Sequence, residues 1–181
     1  MLDKLHEILQ NLPNLLSKTE KWESLVINRR KPYTYRVFTQ LENGLRICLH
    51  KFESCDIHEA FSHPHPWPGA FIILKGSYLM KIGYSLDRTS PMLDVMSTKL
   101  NKWCEYEMTT PLSWHSVIPL ETTYTVMVNG TPWDPDIAHS NVRTTKGKDL
   151  EKMPEKELKE HLNMFKDLVL DWNLNNNHKG M

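Results

Sequence analysis

The sequence predicts a mainly β protein, an antiparallel sandwich or barrel with helices at its two ends. Three observations carry this. Short aromatic and β-branched runs recur between residues 33 and 129 at spacings of about ten residues, the rhythm of an all-β body. Asn43-Gly44 stands between two such runs, and Asn-Gly in that setting is a strong hairpin signal. Apolar residues at helical spacing occur before and after this region, which places the helices outside the sheets.

Taken in order, Leu2, Leu5, Ile8, Leu9 and Leu12 form one helical stripe, which Pro13 is expected to end or kink. A short helical piece is expected over residues 18–27. Strands follow at Tyr33–Leu41 and Leu45–Phe52 around the Asn-Gly turn, then at Ala70–Leu74, Ser77–Tyr84, Met92–Met96, Lys102–Met108, His115–Ile118 and Thr122–Val128. Residues 132–153 are polar and read as a loop. Pro154 suits a first helical position, and Glu155 and Glu157 suit a first turn, where the helix dipole favours negative charge. Leu158, Leu162, Phe165, Val169 and Trp172 then line one face, expected to pack on the outside of the β body. The expected organisation is a helical segment over 1–31, a barrel over 32–131, a loop over 132–153, a helix over 154–173 and a frayed tail over 174–181.

Lys+Arg and Asp+Glu both total 22 in 181 residues. That balance offers no basic patch for nucleic acid, and no run reaches the ~20 apolar residues of a membrane span. Residues 1–16 carry Asp3, Lys4, His6 and Glu7 and do not read as a signal peptide. Cys48, Cys55 and Cys104 make an odd, unspaced set, which argues against a disulfide framework. The expectation is a cytoplasmic protein that binds a small molecule, with neither nucleic acid nor membrane as partner.

The densest chemistry lies in His63-Pro64-His65-Pro66-Trp67-Pro68-Gly69. On an extended backbone His63 and His65 point the same way, and the prolines hold them extended. Both imidazoles can therefore grip one metal ion, with Trp67 shielding a side. His115, at the head of a later strand, is the candidate third ligand, and three imidazoles leave coordination positions open. The plain alternative is a surface His-Pro-His-Pro loop that binds nothing, since nine histidines make some clustering unsurprising. Glu53, His58 or Glu59 could add a fourth ligand, or sit at a loop surface. Cys55, His58, His63 and His65 could instead form a structural zinc site, although their spacing matches no zinc module. Tyr78, Tyr84 and Tyr124 could offer a hydroxyl inside a barrel, or be ordinary strand aromatics. Glu105 and Glu107 share a strand face and read as solvent-facing.

The order of these features resembles the cupin superfamily. His63, His65 and Gly76 match its first motif and His115 its second, whereas Gly69 stands where the glutamate ligand would be. A cupin with three histidines and no glutamate is similar to the cysteine dioxygenase-like thiol dioxygenases. Tyr33 to Arg36, the Asn43-Gly44 turn and the strand after it follow that group's order over roughly 33–130. The resemblance implies a double-stranded β-helix, or jelly-roll barrel. It also implies a divalent metal on His63, His65 and His115, Fe(II) first with Zn, Ni or Mn as alternatives, and a catalytic role for Arg36; Tyr124, as a barrel tyrosine able to offer a hydroxyl, is the second catalytic candidate, read from its strand and not from the resemblance. Arg36 would hold a substrate carboxylate by its two-pronged guanidinium, against the alternative of an outward strand arginine. A non-catalytic ligand-binding or structural cupin stays open, and a homodimer is a reasonable expectation.

Overall fold

The computed structural model describes residues 1–85, 93–133 and 150–176. In chain order these form α1 (Leu2–Leu16), a 3-10 turn (Thr19–Lys21), β1 (Glu23–Ile27), β2 (Thr34–Gln40), β3 (Arg46–Phe52), β4 (Ser62–Pro64), β5 (Gly69–Lys75), β6 (Tyr78–Tyr84), β7 (Leu93–Leu100), β8 (Glu105–Met108), β9 (Ser113–Pro119), β10 (Thr123–Asn129) and α2 (Glu155–Asn176). A six-stranded sheet runs β1-β2-β3-β10-β5-β8, and a four-stranded sheet runs β4-β9-β6-β7. Every pairing is antiparallel. The two sheets share an interior and make the mainly β, cupin-type jelly-roll barrel, with a helix before it and another after it.

Alternation along the larger sheet creates two environments. On its outer face Val37, Ile47, Leu49, Ala70, Ile72, Leu74, Val126 and Val128 join the buried stripes of α1 and α2 in the main core. On its inner face Cys48, Phe71 and Met127 look toward the second sheet. β5 is buried from Gly69 to Leu74 because helices cover one side and the barrel interior the other. Fully burying one such aliphatic side chain contributes about 1.5–3 kcal/mol, so the two helices hold the larger sheet in shape.

Several expectations change. Residues 18–27 do not form a helical piece: a 3-10 turn leads into β1, whose Leu25, Val26 and Ile27 pair with Arg36, Tyr35 and Thr34. An open edge on β2 rewards extended β-branched residues more than an isolated turn of helix would. The first helix passes through Pro13 to Leu16. Proline has no N–H for the Leu9 carbonyl, and the side-chain amide of Asn173 on α2 donates to that oxygen instead, at 3.5 Å. Buried Leu16 anchors the last turn. Lys102 to Cys104 form a turn rather than strand, with Trp103 at φ 69° and its N–H donating to Ile73 O. Glu105 and Glu107 are not idle: Glu105 meets the His6 ring at 2.7 Å and Glu107 the Met1 ammonium at 3.1 Å, pinning α1 to β8. The second helix extends to Asn176, past the expected end at 173. Met92, most of the expected 132–153 loop and the tail from 177 lie outside the described residues.

The Asn43-Gly44 hairpin forms, with Leu45 N–H donating to Asn43 Oδ1 at 3.1 Å and Gly44 at φ 83°. The β5–β6 turn is stricter. Gly76 also has φ 83°, and a Cβ there would lie 2.7 Å from the Thr122 carbonyl oxygen. Backbone cannot retreat as a flexible side chain can. Replacing Gly76 by alanine is therefore expected to lower stability by about 2–4 kcal/mol, combining left-handed strain with overpacking. Urea unfolding of the variant checks this, and an unchanged midpoint would contradict the strain argument.

Candidate metal centre

The convergence of the three histidines follows from strand pairing. β4 lies antiparallel to β9 with His63 directly opposite His115, and directly opposed residues share one face of a sheet. His65 follows two residues after His63 on a backbone kept extended by Pro64 and Pro66, so it faces the same interior. His65 Nε2 lies 2.9 Å from His115 Nε2, which lies 3.3 Å from His63 Nε2. Among the described residues this trio is the group able to hold a metal ion, with its ligand atoms within 4.8 Å of one another.

Each imidazole Nε2 has a single in-plane position, occupied by either a proton or a lone pair. Three of them meeting at a point can make one hydrogen bond between two members, which leaves the third unserved. A cation would use all three lone pairs. Nitrogens about 2.1 Å from a shared ion stand about 3.0 Å apart at right angles and about 3.4 Å apart at the tetrahedral angle, and the two edges through His115 match. The Nδ1 of His115 is buried with no hydrogen-bond partner among the described residues, and the ring packs against Phe71 and Tyr106. The residues fit a divalent cation.

Electrostatics favour the same state. Burial pushes the His63 imidazole down to about 4. His65 and His115 are pushed well below the usual 6.5, first by burial and then by the neighbouring rings. All three are neutral at pH 7, the form that ligates metal.

The trio lines a cavity of about 110 Å³ shared with Arg36, His50, Tyr78 and Tyr106. Arg36 therefore faces inward, not outward, and its Nε–H donates to His50 Nε2 at 2.9 Å. Burial lowers the arginine pKa from its ordinary value, and no acidic side chain pairs with it among the described residues. Tyr106 stacks on Phe71 with centroids 4.6 Å apart, and Phe71 abuts His65 at 5.3 Å. The Tyr78 hydroxyl donates to the Tyr106 oxygen at 2.9 Å, bridging the two sheets. Burial raises both phenols, which stay protonated, so the Tyr106 proton is left free to point at a ligand.

Other candidates lie elsewhere. Tyr124 does not join the cavity; it packs against His161 and Phe165 of α2. Alternation explains this, because Thr125 and Met127 take the inward positions of β10. Tyr84 is half exposed. Trp67 stands edge-on to His65 at 6.5 Å, flanking the trio without lining the cavity. Glu53 accepts from Tyr35, Glu59 pairs with Lys31 at 2.8 Å, and His58 is exposed. None of these three joins the metal-ligating group, and neither does Cys55. The three cysteines are free thiols. Gly69, the position matched to a cupin glutamate, begins β5, and a Cβ there would lie 3.3 Å from the Phe71 ring and from Asn129 Oδ1. His50 and Tyr106 are the cavity residues that sequence reasoning missed. His50 could have been found by counting outward from the hairpin, which pairs it with Arg36. Tyr106 lies between two outward glutamates and must therefore point in.

No family model matches the chain, and no curated protein matches it. Solved structures do match. The hydroxypropylphosphonic acid epoxidase from S. wedmorenis aligns at 13% identity and TM-score 0.48, covering 61% of this chain and 56% of that one. KdgF from Halomonas sp. aligns at 13% identity and TM-score 0.40, covering 57% and 82%. CapF with the inhibitor 3-isopropenyl-tropolone aligns at 12% identity and TM-score 0.45, covering 64% and 32%. The chain spans about half the length of that epoxidase. Among the described residues no helix is long and apolar enough to cross a membrane. The cupin-type barrel thus rests on the chain's own two-sheet topology, and the metal centre on its own three imidazoles.

Proposed function

We propose that this chain is a metal-dependent oxidoreductase, a cupin that holds Fe(II) on His63, His65 and His115 and uses dioxygen to oxidise a small, carboxylate-bearing thiol. The observation that carries the reading is the pairing in one cavity of three neutral, converging imidazoles with an arginine that has no acidic partner among the described residues. When bound, a ferrous ion would supply open positions for oxygen and substrate and a redox-active centre through which electrons pass from the thiol sulfur to dioxygen. The remaining tasks fall to the protein. Arg36 binds the carboxylate with two parallel hydrogen bonds. Tyr106 offers its phenol proton to a second polar atom, while Phe71 and the other apolar walls exclude water. The overall conversion balances as RSH + O2 → RSO2H, with both oxygen atoms ending on the sulfur and the acid proton remaining on the product.

Cavity size limits the substrate. An apolar cavity of about 150 Å³ accommodates benzene, so a space of about 110 Å³ suits about four non-hydrogen atoms, with room for a few more toward its open side. Small mercaptocarboxylates are of that order. The test is oxygen consumption by iron-loaded, untagged protein given cysteine, 3-mercaptopropionate or cysteamine. Uptake with the two acids is expected, falling at least about tenfold in Arg36→Leu, since a lost charged hydrogen bond costs about 1.5–3 kcal/mol. No uptake with any of the three, from protein that holds stoichiometric iron, would leave the second reading, a barrel that binds a small ligand without oxidising it.

A further inference from the structure

Arginines that recognise ligands are commonly held in place by a carboxylate, which fixes the side chain but also cancels its charge. Arg36 is held differently. β2 and β3 place Arg36 directly opposite His50 on the inward face, and the Arg36 Nε–H donates to His50 Nε2 at 2.9 Å. An imidazole accepts there only with a lone pair on Nε2 and its proton on Nδ1, hence as a neutral ring. His50 is 4% exposed and stacked on Phe52 with ring centroids 5.4 Å apart, so its plane is fixed.

We propose that His50 is a positioning residue that pins Arg36 through Nε while leaving its positive charge uncancelled for a ligand carboxylate. This rests on the reading of the cavity as a carboxylate site. The guanidinium fork has five N–H donors, and His50 occupies the one on Nε. The edge formed by the two Nη atoms has no protein partner among the described residues. The ionisable groups close enough to interact with Arg36 are Cys48, a neutral thiol at pH 7, Arg46, a second cation, and the neutral rings of His50, His63 and His65. An acid at position 50 would make the same hydrogen bond and set the pair's net charge to zero. Burial and the adjacent Arg36 charge both keep His50 neutral, well below its ordinary pKa. The pair therefore favours a ligand bearing one negative charge over a cationic one of similar shape.

The experiment compares His50→Gln, a neutral acceptor, with His50→Glu, an anionic one, in zinc-loaded protein. Titration calorimetry reads the affinity for 3-mercaptopropionate and for cysteamine, which shares the thiol but carries an amine in place of the carboxylate. The Arg36 Nε–H signal in a nitrogen-proton NMR spectrum reports the hydrogen bond without any ligand, and thermal midpoints report the fold. His50→Gln should keep a protected Nε–H signal and bind 3-mercaptopropionate within about threefold of wild type. His50→Glu should also keep the signal yet bind it at least about tenfold more weakly, with cysteamine unchanged or tighter. A role confined to structure would move both ligands together. Full 3-mercaptopropionate affinity in His50→Glu, or a parallel loss of both ligands, overturns the role given to His50 alone. Wild type that shows the protected signal but binds no carboxylate overturns the carboxylate reading and the selectivity built on it.

Discussion

Substituting alanine for His115 is expected to abolish stoichiometric metal binding while the barrel still folds. Both close nitrogen pairs run through this ring, at 2.9 Å to His65 and 3.3 Å to His63, so its loss leaves two ligands one residue apart, on β4 and just beyond its end. Mutating an outer partner of a metal ligand already costs about 10–100-fold in affinity, and removing a ligand outright should exceed the upper end. The metal-free variant loses a buried ring but is also relieved of a trio in which one Nε2 is left without a hydrogen bond, so its thermal midpoint should change little. The difference should appear on adding metal. Wild type at a metal concentration about a hundredfold above its Kd gains about 2.7 kcal/mol, and the variant gains almost none at that same concentration. Elemental analysis of untagged protein and thermal melts with and without Fe(II), Mn(II), Ni(II) or Zn(II) read both effects. A His115→Ala protein that retains one equivalent of metal would end the proposal for this centre.

Metal-free protein should lose stability steeply as pH falls from about 6.5 towards 4. The ordinary imidazole pKa is 6.5, whereas His63 and His161 are each held at about 4, chiefly by burial. Between those values the unfolded chain carries protons that the folded chain refuses, so stability rises with pH through this window and is constant above it. A fully expressed shift of this size is worth about 3 kcal/mol for His63, roughly 2 kcal/mol of it lost by pH 5. His161, more open to solvent, should contribute less. His50, His65 and His115 act in the same direction. Against a domain stability of about 5–15 kcal/mol, the loss expected from His63 alone is a substantial fraction of the whole. Bound metal should protect, because ligation competes with protonation. Urea midpoints at pH 7.5 and 5.0 measure the effect, and His161→Asn should flatten part of the slope. Equal midpoints at the two pH values, without metal, would show that the rings are not buried as neutral groups.

How much of this was legible in the residues depends on how local the signal is. The stripes Leu5–Leu12 and Leu162–Trp172 record one buried helix face each, and both helices pack as that period requires. The Asn43-Gly44 hairpin was readable because a tight turn dictates the register of the strands it joins. Residues 18–27 misled because their strand form depends on a neighbour, β2, whose edge offers hydrogen bonds that no local pattern reveals. The helix through Pro13 misled for a similar reason, since the freed Leu9 carbonyl meets a donor from the far end of the chain. Tyr124 looked like a candidate because period-two alternation tells which residues share a face, but not which face is the interior.

Sequence by itself determined the mainly β class, the flanking helices and the extended backbone that points His63 and His65 the same way. Those are consequences of side-chain period and of proline's restriction on its predecessor, both properties of adjacent residues. Tertiary structure alone decided that His115 stands opposite His63, that Arg36 and His50 share the same cavity, and that Tyr106 rather than Tyr124 faces it. Each of these depends on which strands pair and which sheet face is enclosed. Residues far apart in the chain settle those choices by burying apolar surface together, and no short stretch of sequence contains that information.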